Sequence, residues 1–290
     1  MKQAVAASNG LVRRNGALAL LLTFFAPLAG FAYVRELRWG VALVLLTPAL
    51  MLLFSHLGLL TKLPGVYALM GLMCALALAS LALAFRFARA LPVGTERRWY
   101  NRWYHYVWLA LLGLLVSNLM VTHRGVLFGY ETFRVASTSM QPTLMRGDFI
   151  AVDTRDSTVA AIGRGDIVTY VPNEYPDQAW LARVVGLPGE SIVAKDNVVE
   201  VNGVRLPEPY LGAQQSADPT PVPVERVALG SDEYFLMGDN RPNSADSRFQ
   251  GPVTRAALRG KARAIWFSYS PTTHSIDTAR IGTLPSVRAK

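Results

Sequence analysis

Residues 103–139 read WYHYVWLALLGLLVSNLMVTHRGVLFGYETFRVASTS. The first part, Trp103–His123, is 21 residues without Asp, Glu, Lys or Arg. About 20 apolar residues in a helix cross the ~30 Å of a bilayer's hydrocarbon. From Glu131 the texture changes to short alternating segments, the pattern of half-buried strands. The chain therefore divides here into a helical membrane part, 1–124, and a β-rich part, 125–290.

Working back from this boundary, three more runs lack those four residue types: Asn15–Val34, Trp39–Thr61 and Leu63–Phe85, of 20, 23 and 23 residues. About four spans are expected, near 16–34, 39–61, 63–85 and 104–122. Pro27 and Pro48 fall inside spans, where lipid-embedded helices tolerate proline better than soluble ones do. The charge follows the same division. Before Gly125 there are 12 Lys/Arg against 2 Asp/Glu, and from it onward 17 against 18, so the net +9 of the chain comes entirely from the first part, at +10, with the second at −1. Those cations lie between apolar runs and not on one folded face, which removes the nucleic-acid reading of a basic chain. No acidic residue lies within any span, which argues against a transporter.

Arg86, Arg89, Arg97, Arg98 and Arg102 crowd one loop. The positive-inside rule places that loop in the cytoplasm and everything after His123 outside. Lys2, Arg13 and Arg14 pull the N-terminus the other way, and the denser loop outweighs them. Cleavage after Gly30-Phe31-Ala32, as in a signal peptide, would turn the Arg-rich loop outward and is rejected for that reason.

In the second part, Asp166–Val171, Asn197–Val201, Val204–Leu206 and Glu233–Met237 are expected strands. Asn202-Gly203 is a hairpin turn, and Ala213–Val224 an exposed loop. The chemistry is limited by what is missing. Cys74 is the only cysteine, which excludes an intrachain disulfide and a cysteine metal site. His274 is the only histidine of this part, too little for a zinc hydrolase and a thin basis for a Ser-His-Asp triad. No metal or cofactor is expected. A serine hydrolase without histidine takes a desolvated lysine as its base.

The segment Phe133-Arg134-Val135-Ala136-Ser137-Thr138-Ser139-Met140-Gln141-Pro142-Thr143-Leu144 sets two serines two apart before a proline turn. It is followed by Arg146-Gly147-Asp148, Arg164-Gly165-Asp166, Arg183-Val184-Val185-Gly186-Leu187-Pro188-Gly189-Glu190 and Gly238-Asp239-Asn240-Arg241-Pro242-Asn243-Ser244-Ala245-Asp246-Ser247-Arg248. Over residues ~131–268 this series resembles the bacterial type I signal peptidases, the membrane-bound Ser/Lys proteases of the S26 family. The resemblance implies a mostly-β catalytic domain of signal-peptidase type. A small accessory subdomain would lie within about 190–235. It implies a multi-pass protein of the inner (plasma) membrane with its catalytic domain on the periplasmic side. The activity implied is a serine endopeptidase that removes signal peptides from exported preproteins after Ala-x-Ala-like sites. Its partners are those signal peptides and the lipid bilayer.

Carried over residue by residue, Ser139 is similar to the nucleophile, and Ser137 to the hydroxyl of the oxyanion hole. Ser244 corresponds to the serine that orients the base. Asp246 and Arg248 correspond to a structural ion pair. Phe133, Val135, Met140 and Leu181 would line the substrate pockets. One position departs from the family. The general-base lysine falls at Ala182 in Trp180-Leu181-Ala182-Arg183. A methyl group accepts no proton, and the Arg183 guanidinium does not deprotonate in proteins. Of the remaining lysines, Lys195 is expected in a surface turn and Lys261, near a strand start, in solvent. Three readings stay open. Ala182 is a substitution that traps an otherwise active enzyme, or a natural loss that leaves a signal-peptide-binding pseudoprotease, or another group acts as base.

Overall fold

The computed structural model describes residues 15–92, 98–195, 198–211 and 224–284. It divides into two compact units, Met1–Leu60 with Pro64–Phe128, and Thr61–Leu63 with Gly129–Lys290.

The first unit is helical: α1 (Gly16–Phe25), α2 (Pro27–Tyr33), α3 (Leu37–His56), α4 (Leu63–Ala90), α5 (Trp103–Thr122) and α6 (Arg124–Phe128). Three of these, α3, α4 and α5, are long and apolar enough to cross a membrane, with mean hydropathies of 2.0, 2.3 and 1.6. No residue of α5 is buried. Tyr106 packs against the cluster of Phe31, Tyr33 and Val34, but a helix this apolar with no residue fully buried needs lipid around it.

The first apolar run differs from expectation. It is two short helices, broken at Ala26, whose backbone is extended at φ −149° and ψ 84°. The residue before a proline is driven out of the helical region, and Pro27 opens α2 at a position where its missing N–H costs nothing. Pro48, by contrast, stays inside α3. The second run stops helically at His56, short of Thr61, and Gly58 follows at φ 65°. The third runs on to Ala90, where Arg89 lies 4.5 Å over the Phe85 ring. Cys74 is exposed on α4.

The second unit is built on two antiparallel sheets. The strands are β1 (Tyr130–Arg134), β2 (Asp148–Asp153), β3 (Ile167–Tyr170), β4 (Trp180–Gly186), β5 (Ser191–Lys195), β6 (Val198–Val201), β7 (Val204–Arg205), β8 (Val224–Ala228), β9 (Glu233–Met237), β10 (Val253–Thr254), β11 (Leu258–Ser270), β12 (Ser275–Ile276) and β13 (Gly282–Thr283). The large sheet runs β1-β2-β11-β3-β4-β9-β10, with β12 and β13 also on β11, and the small sheet runs β7-β6-β5-β8. The β6–β7 hairpin turns on Asn202 and Gly203 at φ 54° and 80°. Both are left-handed, the geometry that matches strand twist in a two-residue turn. Most of the expected loop Ala213–Val224 lies outside the described residues; Val224 itself opens β8.

Leu144, Ile150 and Val152 are fully buried in one core, beside Val135 and Met140. Each such side chain contributes about 1.5–3 kcal/mol by leaving water. Val168, Tyr170, Ala182, Val184 and Leu236 form a second core. Lys261 departs from the expectation of a solvated lysine. It is 7% exposed, and its Nζ lies 2.5 Å from Asp166 Oδ1. The cause is topological: β11 is flanked by β2 on one edge and β3 on the other, so Lys261 is covered from both sides. Lys195 is exposed.

Candidate active site

The loop after β1 is pinned at both ends. The Val135 N–H donates to Asp148 O at 2.8 Å, and Gly147 N–H to Val135 O at 2.9 Å. Met140, 1% exposed, and Leu144, fully buried, sink its middle into the first core. Ser137 and Ser139 are thereby lifted on a short arc between apolar anchors, and their Oγ atoms lie 2.9 Å apart.

A second segment grips the first. Asn240 N–H donates to Ser139 O at 2.9 Å, and its Nδ2 to Thr138 O at 3.0 Å. Gly238 precedes it for want of room. A Cβ there would lie 2.2 Å from Ser244 Oγ and 2.6 Å from Ser139 O. Asp246 holds the return of this segment: Oδ2 accepts from Gly238 N at 2.9 Å, and Oδ1 from Arg248 Nε at 2.8 Å. Asp246 and Arg248 are both buried, so their ion pair is shielded from solvent. Arg241 is also buried and pairs with Glu208.

Arg183 is fully used as a clamp. Its Nε and Nη2 reach Asp239 at 2.8 and 2.6 Å, its Nη1 reaches Gly165 O at 2.7 Å, and its Cζ lies 3.9 Å from the centre of the Tyr210 ring. Burial, and then the Glu208 carboxylate, push the Tyr210 phenol above its ordinary range. A bidentate Arg–carboxylate pair fixes orientation as well as energy, so β4 and the turn at Asp239 are held in register. Ala182 precedes this clamp and is 1% exposed. It pairs with Val168, which in turn pairs with Lys261, so the three side chains share one face of the sheet.

These parts meet at a cleft of about 430 Å³. Ser137, Ser139, Ala182, Ser244 and Asp246 line it, as do Phe133, Val135 and Leu181. Met140 does not: its side chain turns under the arc into the first core. Lys261 does not line it either. The strand β9 meets β4 only from Arg183 onward, so among the described residues no strand pairs with Trp180–Ala182 on that side. His274 sits in an exposed turn, 3.4 Å from the Tyr269 hydroxyl. Among the described residues no three His, Cys, Asp or Glu side chains gather as metal ligands. Sequence reasoning missed Tyr170, Gly238 and Asn240 as parts of this site. The last two stood within a quoted block without roles, and Tyr170 carried no signal beyond its place in a strand.

Residues 105–267 match the family model described as signal peptidase, peptidase S26. The chain is 30% identical over 172 residues to signal peptidase I T of Bacillus subtilis, covering 56% of this chain and 84% of that one. It is 32% identical over 161 residues to a probable signal peptidase I-2 of Synechocystis, covering 53% and 71%. A crystal structure of a signal peptidase I from Enterococcus faecalis aligns at 29% identity and a TM-score of 0.32, over 34% of this chain and 95% of that one. A mostly-β peptidase domain following apolar helices is thus the class. The chain belongs to the signal peptidase family, peptidase S26.

Proposed function

We propose that this chain is a signal peptidase I that removes N-terminal signal peptides from exported preproteins, with Ser139 as nucleophile. The observation that carries this reading is one cleft lined together by Ser139, Ser244 and the Ala182 position. A peptide entering as an added strand would pair with the free edge at Trp180–Ala182 and with the segment from Phe133. Its scissile carbonyl would lie against Ser139 Oγ. The Ser139 N–H and Ser137 hydroxyl would hold the oxyanion, charge that develops only as the tetrahedral intermediate forms. Ser244 would orient an amine at position 182, and Asp246 with Arg248 would keep Ser244 in place.

The same reading extends to the membrane part. Four crossings, α1 and α2 together making the first, put the Arg-rich loop in the cytoplasm and the β-rich unit on the periplasmic side. Residues 125–290 are then the catalytic domain, with β5–β8 as its accessory subdomain.

A second reading is favoured by one observation: Ala182 offers no proton acceptor, so the chain as it stands would hold signal peptides without cutting them. One experiment separates the two. Ala182→Lys should raise cleavage of a fluorogenic signal-peptide substrate by about 10²–10⁴, the usual worth of general-base catalysis. Adding Ser139→Ala should abolish the gain. If Ala182→Lys changes nothing and the chain is inert, the Ser/Lys reading fails.

A further inference from the structure

The first apolar run, α1 with α2, turns back on itself. The Asn15 N–H donates to the Tyr33 hydroxyl at 2.9 Å, across 18 positions of sequence. In a continuous helix, residues so far apart stand about 27 Å from one another. Between them, a Cβ on Gly30 would lie 2.5 Å from the Thr23 Cα. A straight helix would separate those two residues by about 10 Å. Gly30 lets two helices touch backbone to backbone, and the hinge is the extended Ala26 with Pro27 behind it. The longer arm, α1, has 10 residues. Its length is about 15 Å, half of the ~30 Å of a bilayer's hydrocarbon.

The neighbours of this hairpin fix its depth. Its open end meets the arginine-bearing end of the helical unit. A Cβ on Gly16 would lie 2.8 Å from the Phe85 ring, beside Arg86 near the end of α4. Ala32 O accepts from Asn101 Nδ2 at 2.7 Å and Arg35 O from the Tyr100 hydroxyl at 3.2 Å, and both donors stand just before α5. Ala19, Phe31, Ala84 and Ala88 pack in one core at that level. The closed end stops halfway. Thr23, Phe24 and Pro27 share a cavity of about 190 Å³ with Thr47 and Leu76, which lie at the middle of α3 and of α4. Non-helical backbone at membrane depth is tolerated only against protein or a cavity, and the tip at Ala26 is flanked by both.

We infer that α1 and α2 form a re-entrant hairpin, which enters the cytoplasmic leaflet, turns at mid-membrane and leaves on the side it entered. The chain then crosses three times, by α3, α4 and α5. Run length alone counts α1 with α2 as the first of four crossings. The geometry withdraws that crossing and leaves the Arg-rich loop and the β-rich unit on the sides proposed for them. Which side is cytoplasmic rests on that reading; the hairpin itself does not. Charge supports the hairpin independently. Lys2, Arg13 and Arg14 precede Asn15 in the chain, and four crossings put them on the face opposite the Arg-rich loop. A hairpin returns them to the face of Arg35, Arg38 and that loop. Lys62 and Arg124 are then the only cations of residues 1–124 on the far side, as the positive-inside rule requires.

The test uses the full chain with Cys74→Ser, in intact spheroplasts and in inside-out vesicles, and an impermeant thiol reagent. Ser8→Cys should stay unlabelled on spheroplasts and label in the vesicles. Glu174→Cys, on the β-rich unit, should do the reverse and reports orientation separately. The hairpin requires the two sites to lie on opposite sides of the membrane, whichever way round. If both label on spheroplasts, the first run crosses and the hairpin is overturned while the orientation stands. If Ser8→Cys labels on spheroplasts and Glu174→Cys only in the vesicles, the orientation falls and the hairpin stands. A second measurement needs no membrane sidedness. Spin labels on Asn15→Cys and Arg35→Cys, in the detergent-solubilised chain, should lie well short of the about 30 Å that one continuous helix would impose between them. A measured separation near that value overturns the hairpin, whatever the labelling shows.

Discussion

Gly238 and Ser244 occupy the same space by turns: a Cβ on the glycine would stand 2.2 Å from the serine Oγ. The cleft therefore depends on a missing side chain as much as on those present. Gly238→Ala must push the segment bearing Ser244 away or shift Ser139, whose carbonyl oxygen is 2.6 Å from the same point. A displacement of about 1 Å at reacting atoms costs on the order of 10² in rate. In the Ala182→Lys background, Gly238→Ala should lower kcat by that order. Steady-state cleavage assays decide it; an undiminished kcat would mean that Ser244 is not part of the machinery.

How much of this was legible in the chain depended on distance along it. The arc with Ser137 and Ser139, and the return through Ser244, Asp246 and Arg248, are local blocks whose residue types carry their meaning. The apolar runs also announce themselves, but run length does not reveal the break at Ala26, which only the proline geometry imposes. Lys261 was misjudged because its burial comes from Asp166, 95 positions away, and from two flanking strands. Met140 was misassigned to the substrate pockets because loop residues have no alternation from which to tell inward from outward. Tyr170 was invisible for a related reason: every residue of β3 is buried, so no periodic signal marks the face that opens on the cleft.

Lys261 and Asp166 are a buried pair, and breaking such a pair costs about 3–5 kcal/mol because one charge remains uncompensated. Lys261→Met should destabilise the chain by that amount in denaturant titrations. Lys261→Met with Asp166→Leu should recover part of the loss, since the stranded carboxylate is gone. If Lys261→Met instead abolished a residual cleavage while leaving stability unchanged, Lys261 would be the alternative base.

Asp148 ties the Ser139 arc to the C-terminal segment. Its burial alone would raise its pKa. The side-chain hydrogen bond from Arg280, the Met145 N–H and the Ser268 hydroxyl outweigh burial and hold the carboxyl below the usual range. A depressed folded pKa gives stability that is present above the unfolded value of 3.8 and is lost as pH falls through the folded value. Arg280→Met should therefore destabilise the chain at pH 7, and the difference from the unsubstituted chain should shrink below about pH 4. Melting curves across pH check this; a difference that widens in acid would refute it.

The charge asymmetry of the loops predicts orientation. Single cysteines at Thr95 and Glu174, in a Cys74→Ser background, are to be probed on intact spheroplasts with an impermeant thiol reagent. Glu174→Cys should label and Thr95→Cys should not. The opposite pattern would invert the topology.

The cleft also predicts which peptides fit. Phe133, Val135 and Leu181 form its apolar wall, and Met140 lies beneath the arc. In an extended peptide alternate side chains point the same way, so the residues one and three before the cut face this wall together. Apolar bulk close to Ser139 leaves room for small side chains only, and the exclusion of large ones is steric. Ala-x-Ala should precede the preferred cut in the Ala182→Lys protein. One extra methylene misfitting a pocket is worth about 1–3 kcal/mol, so Leu or Phe at the last position should lower kcat/KM by at least tenfold. A peptide library varied at both positions measures this. Cleavage after Phe or Leu at rates near those after Ala would rule out the steric pocket, and a preference for charged residues would place the substrate elsewhere on the sheet.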